Sequence, residues 1–372
     1  MNKRIAVAHP VLNGNEKKYV LDCLDTGWIS SVGKYIALFE QSFANYCGTA
    51  HAVACSNGTT ALHLALLALG TEPGDEVLVP TLTFISTANA VRYCGAEPVF
   101  VDSEARTMNL DPSQLERHIT PKTKGIIIVH LYGHPVDMDP ILVLARHHNL
   151  FVLEDAAEAH GATYKGRMAG SLSEAATFSF YGNKIITTGE GGMVTTSNTA
   201  LRDKMVQLRG QGMDTHRRYW FPVVGYNYRM TNIQAALGLA QLEQIDHHLQ
   251  RRQDVAKWYQ SALAPLADVI TIPIQEPWAH HAYWGYSPIL KPACPIGRDA
   301  LMLALAEDGI ETRPVFYPVH TMPPYKKEGE SLPVAEELAR NGITIPMHGL
   351  LTKADIAFIA ERLAVHCLMP AK

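Results

Sequence analysis

Between about residues 50 and 200, short and nearly continuous apolar runs alternate with stretches of helical periodicity. HAVAC (51–55), EVLVP (76–80), EPVFVD (97–102), GIIIVHLYG (125–133), LFVLEDAA (150–157), ATFSFYG (176–182) and GGMVTTS (191–197) read as strands. Among them, TTALHLALLALG (59–70), the stretch through TANAVRYCG (87–95), DPSQLERHI (111–119) and DMDPILVLARHHN (137–149) read as helices. The first of these helices is closed by a glycine, and the last has Asp137 or Asp139 as its cap. Strands that are apolar at successive positions are covered on both faces, so the pattern predicts an α/β fold around a mostly parallel sheet. Sheets of that kind place ligands at the carboxyl ends of their strands.

Beyond residue 230 the pattern changes. TNIQAALGLAQLEQIDHHLQRRQDVAKWYQSALA (231–264) keeps a helical period throughout and predicts one long helix or two joined ones. WGYSPILK, GRDALMLALAEDGI, ETRPVF, ITIPMH and TKADIAFIAERLAVHCL then describe a smaller α+β unit. Two units are expected: 1–240, with the N-terminal segment and the large sheet domain, and 241–372, with the connecting helix and the small domain. PVFYPVHTMPPYKKEGE (314–330), dominated by prolines and charges, is expected to be a mobile loop.

Composition narrows the function classes. The 372 residues exceed one small domain, and 47% hydrophobic against 18% charged residues fits a large core. The net charge of −4 comes from 32 basic and 36 acidic residues with no long block of either sign, which argues against nucleic acid or an anionic membrane as the main partner. MNKRIAVAHPVLNG lacks the apolar run of a secretory leader, and no apolar stretch is long enough to cross a bilayer, so a cytoplasmic location is expected. The six cysteines are scattered with no CxxC pair, and read as reduced core thiols. The histidine pairs at 147–148 and 247–248 lie on predicted helices, where adjacent residues point about 100° apart, so no metal site is expected there or at 280–281.

Three features fall at predicted strand ends. In SNGTTALHLAL (56–66) a strand stops at Asn-Gly and a helix begins at Thr59 or Thr60, which suits a phosphate or simply an ordinary cap. In LFVLEDAAEAHG (150–161) Glu154 and Asp155 close an apolar strand, where a carboxylate needs a cation, several hydrogen bonds or a helix to cap. In SFYGNKIITTGEGG (179–192) Lys184 has no acidic residue within five positions. Burial there lowers an amine's pKa and frees it as a nucleophile toward carbonyls; the alternative is a lysine that snorkels to solvent. Pyridoxal 5′-phosphate (PLP) needs an amine, a carboxylate for its ring nitrogen and a phosphate cradle, and each requirement has one candidate.

SNGTTALHLAL, VLEDAAEAHGATYKG, SFYGNKIITTGEGGM and GYNYRMTNIQAALG resemble the PLP-dependent sugar-nucleotide aminotransferases of the DegT type, and the resemblance runs nearly end to end. It implies the fold-type-I aminotransferase architecture, with a large sheet domain plus a smaller C-terminal α+β domain, and a homodimer whose active sites use both chains. Residue by residue it implies that Lys184 carries the cofactor aldehyde and shuttles a proton, that Asp155 partners the ring nitrogen, and that Glu158 lies near the ring. It further implies that Gly58, Thr59 and Ser179 bind the phosphate, that Phe84 stacks on the ring, and that Asn227 reaches the phosphate of the partner subunit. Arg229 is then a candidate for the carboxylate of L-glutamate. Apart from the resemblance, His320 in the proline-rich segment is a candidate for the sugar or its phosphates, Trp28 for stacking on substrate or for packing in the core, and Ser31 for lining the sugar pocket or capping a turn.

RGQGMDTHRRYWFPVVGYNYRMTN and NKIITTGEGG look most like the family members that aminate C4 of GDP-4-keto-6-deoxy-D-mannose. A dehydratase relative acting on the same keto-sugar has His where Lys184 stands, so lysine here implies aminotransfer. Two other functions stay open on the sequence: amination of a UDP- or dTDP-linked keto-sugar at C3 or C4, and a non-catalytic PLP- or sugar-nucleotide-binding regulator.

Overall fold

A computed structural model describes residues 4–368 of the chain. All seven predicted strands form: β1 His51–Cys55, β2 Glu76–Pro80, β3 Glu97–Val101, β4 Thr123–Val129, β5 Phe151–Asp155, β6 Ala175–Ser179 and β7 Gly192–Thr196. They make one sheet in the order β1-β7-β6-β5-β4-β2-β3. Only β7 runs against its neighbours, pairing antiparallel with β1 and with β6. The other pairs are parallel, so the carboxyl ends of six strands share one edge.

The continuous apolar pattern has the two-faced cause expected of it. In β2, Val77 and Val79 pack toward helices α3 (Gly58–Ala68) and α4 (Ser86–Tyr93), while Leu78 joins a separate cluster around α5 (Met138–His148). Near the other end of the sheet, Phe178 and Met193 pack with Phe39 and Phe43, from α2 (Lys34–Cys47), and with Ala235 and Ala236. With helices on both faces the middle of the sheet is buried, exposure is concentrated at the amino-terminal strand ends such as Thr123 and Lys124, and polar side chains buried at the carboxyl-terminal rim are there for chemistry or for capping.

The long helical stretch after residue 230 is two helices, Asn232–Leu242 and Ile245–Leu263, broken at Glu243 and Gln244. Thr231 and Gln234 form a capping box at the start of the first. The second passes into another apolar cluster with the helices Arg298–Glu307 and Lys353–Leu368. We propose this cluster as the core of the smaller unit expected from the sequence. Ile5 belongs to it through a parallel bridge to Ile310, so the chain's start joins the small unit before α1 (Glu16–Thr26) and α2 join the large one. A division near residue 240 remains our proposal for the rest.

Three local expectations are corrected. DPSQLERHI forms two short 3-10 turns, 112–114 and 116–118, because Asp111 accepts the Ser113 N–H and Pro112 opens only one turn. Asp137 is the N-cap residue of α5, yet its carboxylate accepts the Tyr164 hydroxyl and leaves the helix amides alone. Finally, segment 314–330 is anchored. Val319 and Tyr325 pack under the large sheet's helices, and Val319 N–H bonds the Thr81 carbonyl at 2.8 Å.

Candidate active site

The sheet edge gathers the chemistry. At the end of β1 the chain turns at Asn57, whose side chain accepts the Thr60 N–H at 2.9 Å while the Thr60 hydroxyl accepts the Asn57 N–H at 3.2 Å. This box starts the helix at Gly58, one or two residues earlier than the sequence suggested, and leaves the first-turn N–H groups of Gly58 and Thr59 without a partner among the described residues. A Cβ on Gly58 would lie 2.8 Å from the Ser179 Cβ, so glycine is what lets the helix start and the end of β6 touch. Thr60 is consumed by capping, which leaves Thr59 and Ser179 as the hydroxyls for a phosphate.

The two carboxylates of β5 part company, as adjacent strand residues must. Glu154 is fully buried and accepts hydrogen bonds from the backbone of Gly170, Leu172 and Ser173, from the Ser173 hydroxyl and from His130. Asp155 points the other way. It accepts the Thr87 hydroxyl at 2.8 Å and the Ala157 N–H at 3.2 Å. Burial raises its pKa, more than these bonds and the Lys184 charge lower it. A buried carboxyl with so few donors fits a cationic partner that the chain does not supply.

Lys184 follows β6 in a loop tied at both ends. Thr188 N–H and the Thr187 hydroxyl bond the Phe180 carbonyl, and Lys184 N–H bonds the Tyr181 carbonyl at 2.9 Å. The side chain is 12% exposed, with its Nζ 3.6 Å from Glu158 and 4.0 Å from the centroid of the Trp284 ring. Burial pushes its pKa down, opposed by Glu158 and Asp155. Burial pushes Glu158 up to about 7, opposed by Lys184 and by the Tyr132 N–H that bonds its Oε2 at 2.8 Å. Both partners move toward neutrality for the same reason, and the amine becomes the available nucleophile.

An aromatic wall completes the site. Tyr132 stacks on Trp284, centroids 6.1 Å apart, and on Phe316, 5.5 Å apart. The Trp284 indole N–H donates to the Asn183 carbonyl at 2.9 Å, and Arg252 fixes the wall from behind with bonds to the Tyr283, Trp284 and Met347 carbonyls. Tyr132 itself sits at φ +54°, followed by Gly133 at φ +98°, where a Cβ would lie 2.9 Å from the Glu158 carbonyl oxygen.

Of the residues predicted from the sequence, Lys184, Asp155, Glu158, Ser179, Gly58 and Thr59 lie along this edge. Phe84 stands 56% exposed near Phe316, ring centroids 6.0 Å apart. Asn227 and Arg229 are exposed on a segment whose backbone bridges to Gly210 and Cys55. Trp28 and Ser31 lie on an outer loop clamped by Asn232, which bonds the Trp28 and Ser30 carbonyls. His320 needs correction. It is buried, with Nδ1 bonded to the Thr81 hydroxyl at 2.6 Å and Nε2 to Glu336 at 3.2 Å, so both nitrogens serve the fold. Thr87, Tyr132, Asn183 and Trp284 were missed. Thr87 in TFISTANA and Trp284 in AYWGY carry no spacing that points to position 155 or 184.

A lysine nucleophile, a rim carboxylate short of a cation and an open helix start on one sheet edge define a PLP-dependent enzyme of the aminotransferase type. The profile of the DegT/DnrJ/EryC1/StrS aminotransferase family matches residues 10–364, and the chain belongs to that family. It is 58% identical to the GDP-perosamine synthase of Caulobacter vibrioides, over 95% of both chains. It is 50% identical to that of Escherichia coli O157:H7, over 96% of this chain and 97% of that one. Among solved structures, S. venezuelae DesV superposes with a TM-score of 0.90 at 36% identity, covering 96% of this chain and 95% of its own. A Streptococcus pneumoniae protein described as a sugar aminotransferase and solved in its PLP form gives 0.92 at 30%, covering 98% and 99%. The cofactor is PLP, and the donor set fits it. No helix among the described residues is long and apolar enough to cross a membrane.

Proposed function

We propose that the protein transfers an amino group from L-glutamate to C4 of GDP-4-keto-6-deoxy-D-mannose, giving GDP-perosamine and 2-oxoglutarate. The observation that carries this reading is Lys184, a buried amine 3.6 Å from Glu158 at the position where transamination requires a lysine. The two GDP-perosamine synthases at 58% and 50% identity supply the substrate.

PLP, when bound, supplies an electron sink that spreads the charge left on carbon as a proton departs. The chain's residues do the rest. Gly58, Thr59 and Ser179 hold the phosphate. Asp155, oriented by the Thr87 hydroxyl, holds the proton on the ring nitrogen. Lys184 would hold the aldehyde, and its amine would take the proton from the donor's α-carbon and deliver one to the sugar's C4. Glu158 holds or gives up the proton that sets the charge on Lys184. The Tyr132–Trp284–Phe316 wall keeps water from the amine.

The reading carries a homodimer with shared active sites, in which Asn227 reaches the partner's phosphate. Leu21, Leu24, Trp28, Ile29 and Val32, each 45–56% exposed, are large apolar side chains of the kind that marks an interface. It also carries a cytoplasmic enzyme that feeds O-antigen synthesis.

Incubation with glutamate and GDP-4-keto-6-deoxymannose, with the product identified by mass and NMR, tests the assignment. GDP-perosamine is the expected product. Turnover only with a UDP- or dTDP-linked keto-sugar would overturn it.

A further inference from the structure

Against the aromatic wall, and lined in part by Tyr132, Trp284 and Phe316, lies a cavity of about 60 Å³. The large domain contributes Tyr132 and Asn183 to its wall, and the small domain contributes Trp284, Arg313, Thr344 and Met347. It adjoins the nucleophile, because Trp284 faces the Lys184 ammonium at 4.0 Å and bonds the residue before it. Its size admits a few atoms and excludes a nucleotide.

Arg313 is the cation in this lining. It is held on a short strand, Arg313–Pro314, paired antiparallel with Ile343–Thr344. Its side chain is 50% exposed, and its ionic contact is with Glu311, 3.8 Å from one nitrogen and beyond hydrogen-bond reach. A guanidinium has five N–H donors in a flat fork, and among the described residues none of this one's is hydrogen-bonded. Across the cavity, the Asn183 side-chain oxygen is buried without a hydrogen-bond partner among the described residues. The cavity therefore offers a planar cation for an anion and an amide oxygen for a donor such as an ammonium, and one of its walls is the Trp284 ring that faces Lys184. Arg229, the sequence's candidate for the donor carboxylate, does not line it.

We propose that Arg313 is a specificity-determining residue that binds a carboxylate of the amino donor in this cavity. The inference rests on the glutamate-dependent reading above and adds to it the residue that selects a dicarboxylic amino acid. The nucleotide-sugar, whose bulk lies outside so small a space, does not depend on Arg313.

The test uses the PLP-loaded protein. Glutamate is titrated while the cofactor absorbance is followed, binding of glutarate is measured by calorimetry, and the keto-sugar constant is read from the second half-reaction. For Arg313→Gln the glutamate and glutarate constants are expected to rise about 10–150-fold, the range for one lost hydrogen-bonded charge, with the keto-sugar constant within about 3-fold of wild type. Arg313→Lys, which keeps the charge but loses the fork, falls between. Arg313 is half-exposed, so an unchanged melting temperature confirms that both variants fold. Unchanged glutamate and glutarate constants, or a shift in the keto-sugar constant alone, would overturn the proposal. If glutamate leaves the wild-type absorbance unchanged, the functional reading itself falls, a result distinct from either.

Discussion

The sharpest separation of fold from chemistry is at adjacent carboxylates, and Glu154→Gln tests it. Oε1 of Glu154 accepts from Leu172 N at 2.8 Å, Ser173 N at 3.0 Å and Ser173 Oγ at 3.1 Å, while Oε2 accepts from Gly170 N at 2.8 Å and His130 Nε2 at 3.1 Å. His130 Nδ1 accepts the Val136 N–H, which fixes the proton on Nε2. An amide must turn its nitrogen toward one of these sets, so at least two donors lose their acceptor. Flipping the His130 tautomer only moves the loss to Val136. Two bonds to a buried charge at about 1.5–3 kcal/mol each give about 3–6 kcal/mol. At ~2 °C per kcal/mol the cofactor-free variant should melt roughly 6–12 °C lower by circular dichroism. Asp155→Asn is the control. It removes a carboxyl already strained by burial, and Thr87 can turn its hydroxyl, so melting should move by less than ~2 °C while activity is nearly abolished. A Glu154→Gln protein that melts with the wild type would refute the argument.

Lys184→Ala should fold yet give no GDP-perosamine, and borohydride should fix no PLP to the chain; a PLP adduct retained in that variant would show that another amine carries the cofactor. Glu158, raised from 4.5 to about 7, stabilises the cofactor-free fold below its unfolded pKa, and that advantage disappears as pH rises through 7. The unfolding free energy of wild type minus Glu158→Gln should therefore fall by about 3 kcal/mol between pH 4.5 and 8, at 1.36 kcal/mol per pKa unit, and a flat difference would contradict the assignment. Gly58→Ala places a Cβ 2.8 Å from that of Ser179, so it should cost about 1–3 kcal/mol of stability and weaken PLP binding measured by fluorescence quenching, whereas unchanged binding would move the phosphate elsewhere.

The sheet was legible because burial on both faces leaves so plain a trace: five of the seven strands fall inside their apolar runs, β4 begins two residues before its run and β6 one residue before. Lys184 was legible as an anomaly, a charge with no local partner. Thr87, Tyr132 and Trp284 were not, since each acts through a contact between distant segments, 68 residues apart for Thr87 and Asp155. Tyr132 also depends on a left-handed backbone conformation that no side-chain pattern announces. His320 misled because a histidine in a proline-rich stretch reads as exposed, and only the docking of that stretch under β2 buries it.

Glu154 and Asp155 show where the limit lies. A strand turns successive side chains to opposite faces, so the sequence alone says that the pair cannot share one environment. It does not say which carboxylate looks where. That is settled by register, since β5 pairs with β4 through Ile128↔Glu154 and Val129↔Asp155. This aligns Glu154 with Ile128, whose side chain belongs to the α5 cluster, and turns Asp155 to the opposite face at the strand's end, beside Thr87. A shift of one residue would exchange their faces, turning the cofactor's partner toward α5 and taking the cage's anchor out of its cage. The five donors that converge on Glu154 therefore do more than neutralise a buried charge: they favour the one register in which Asp155 can reach a ring nitrogen.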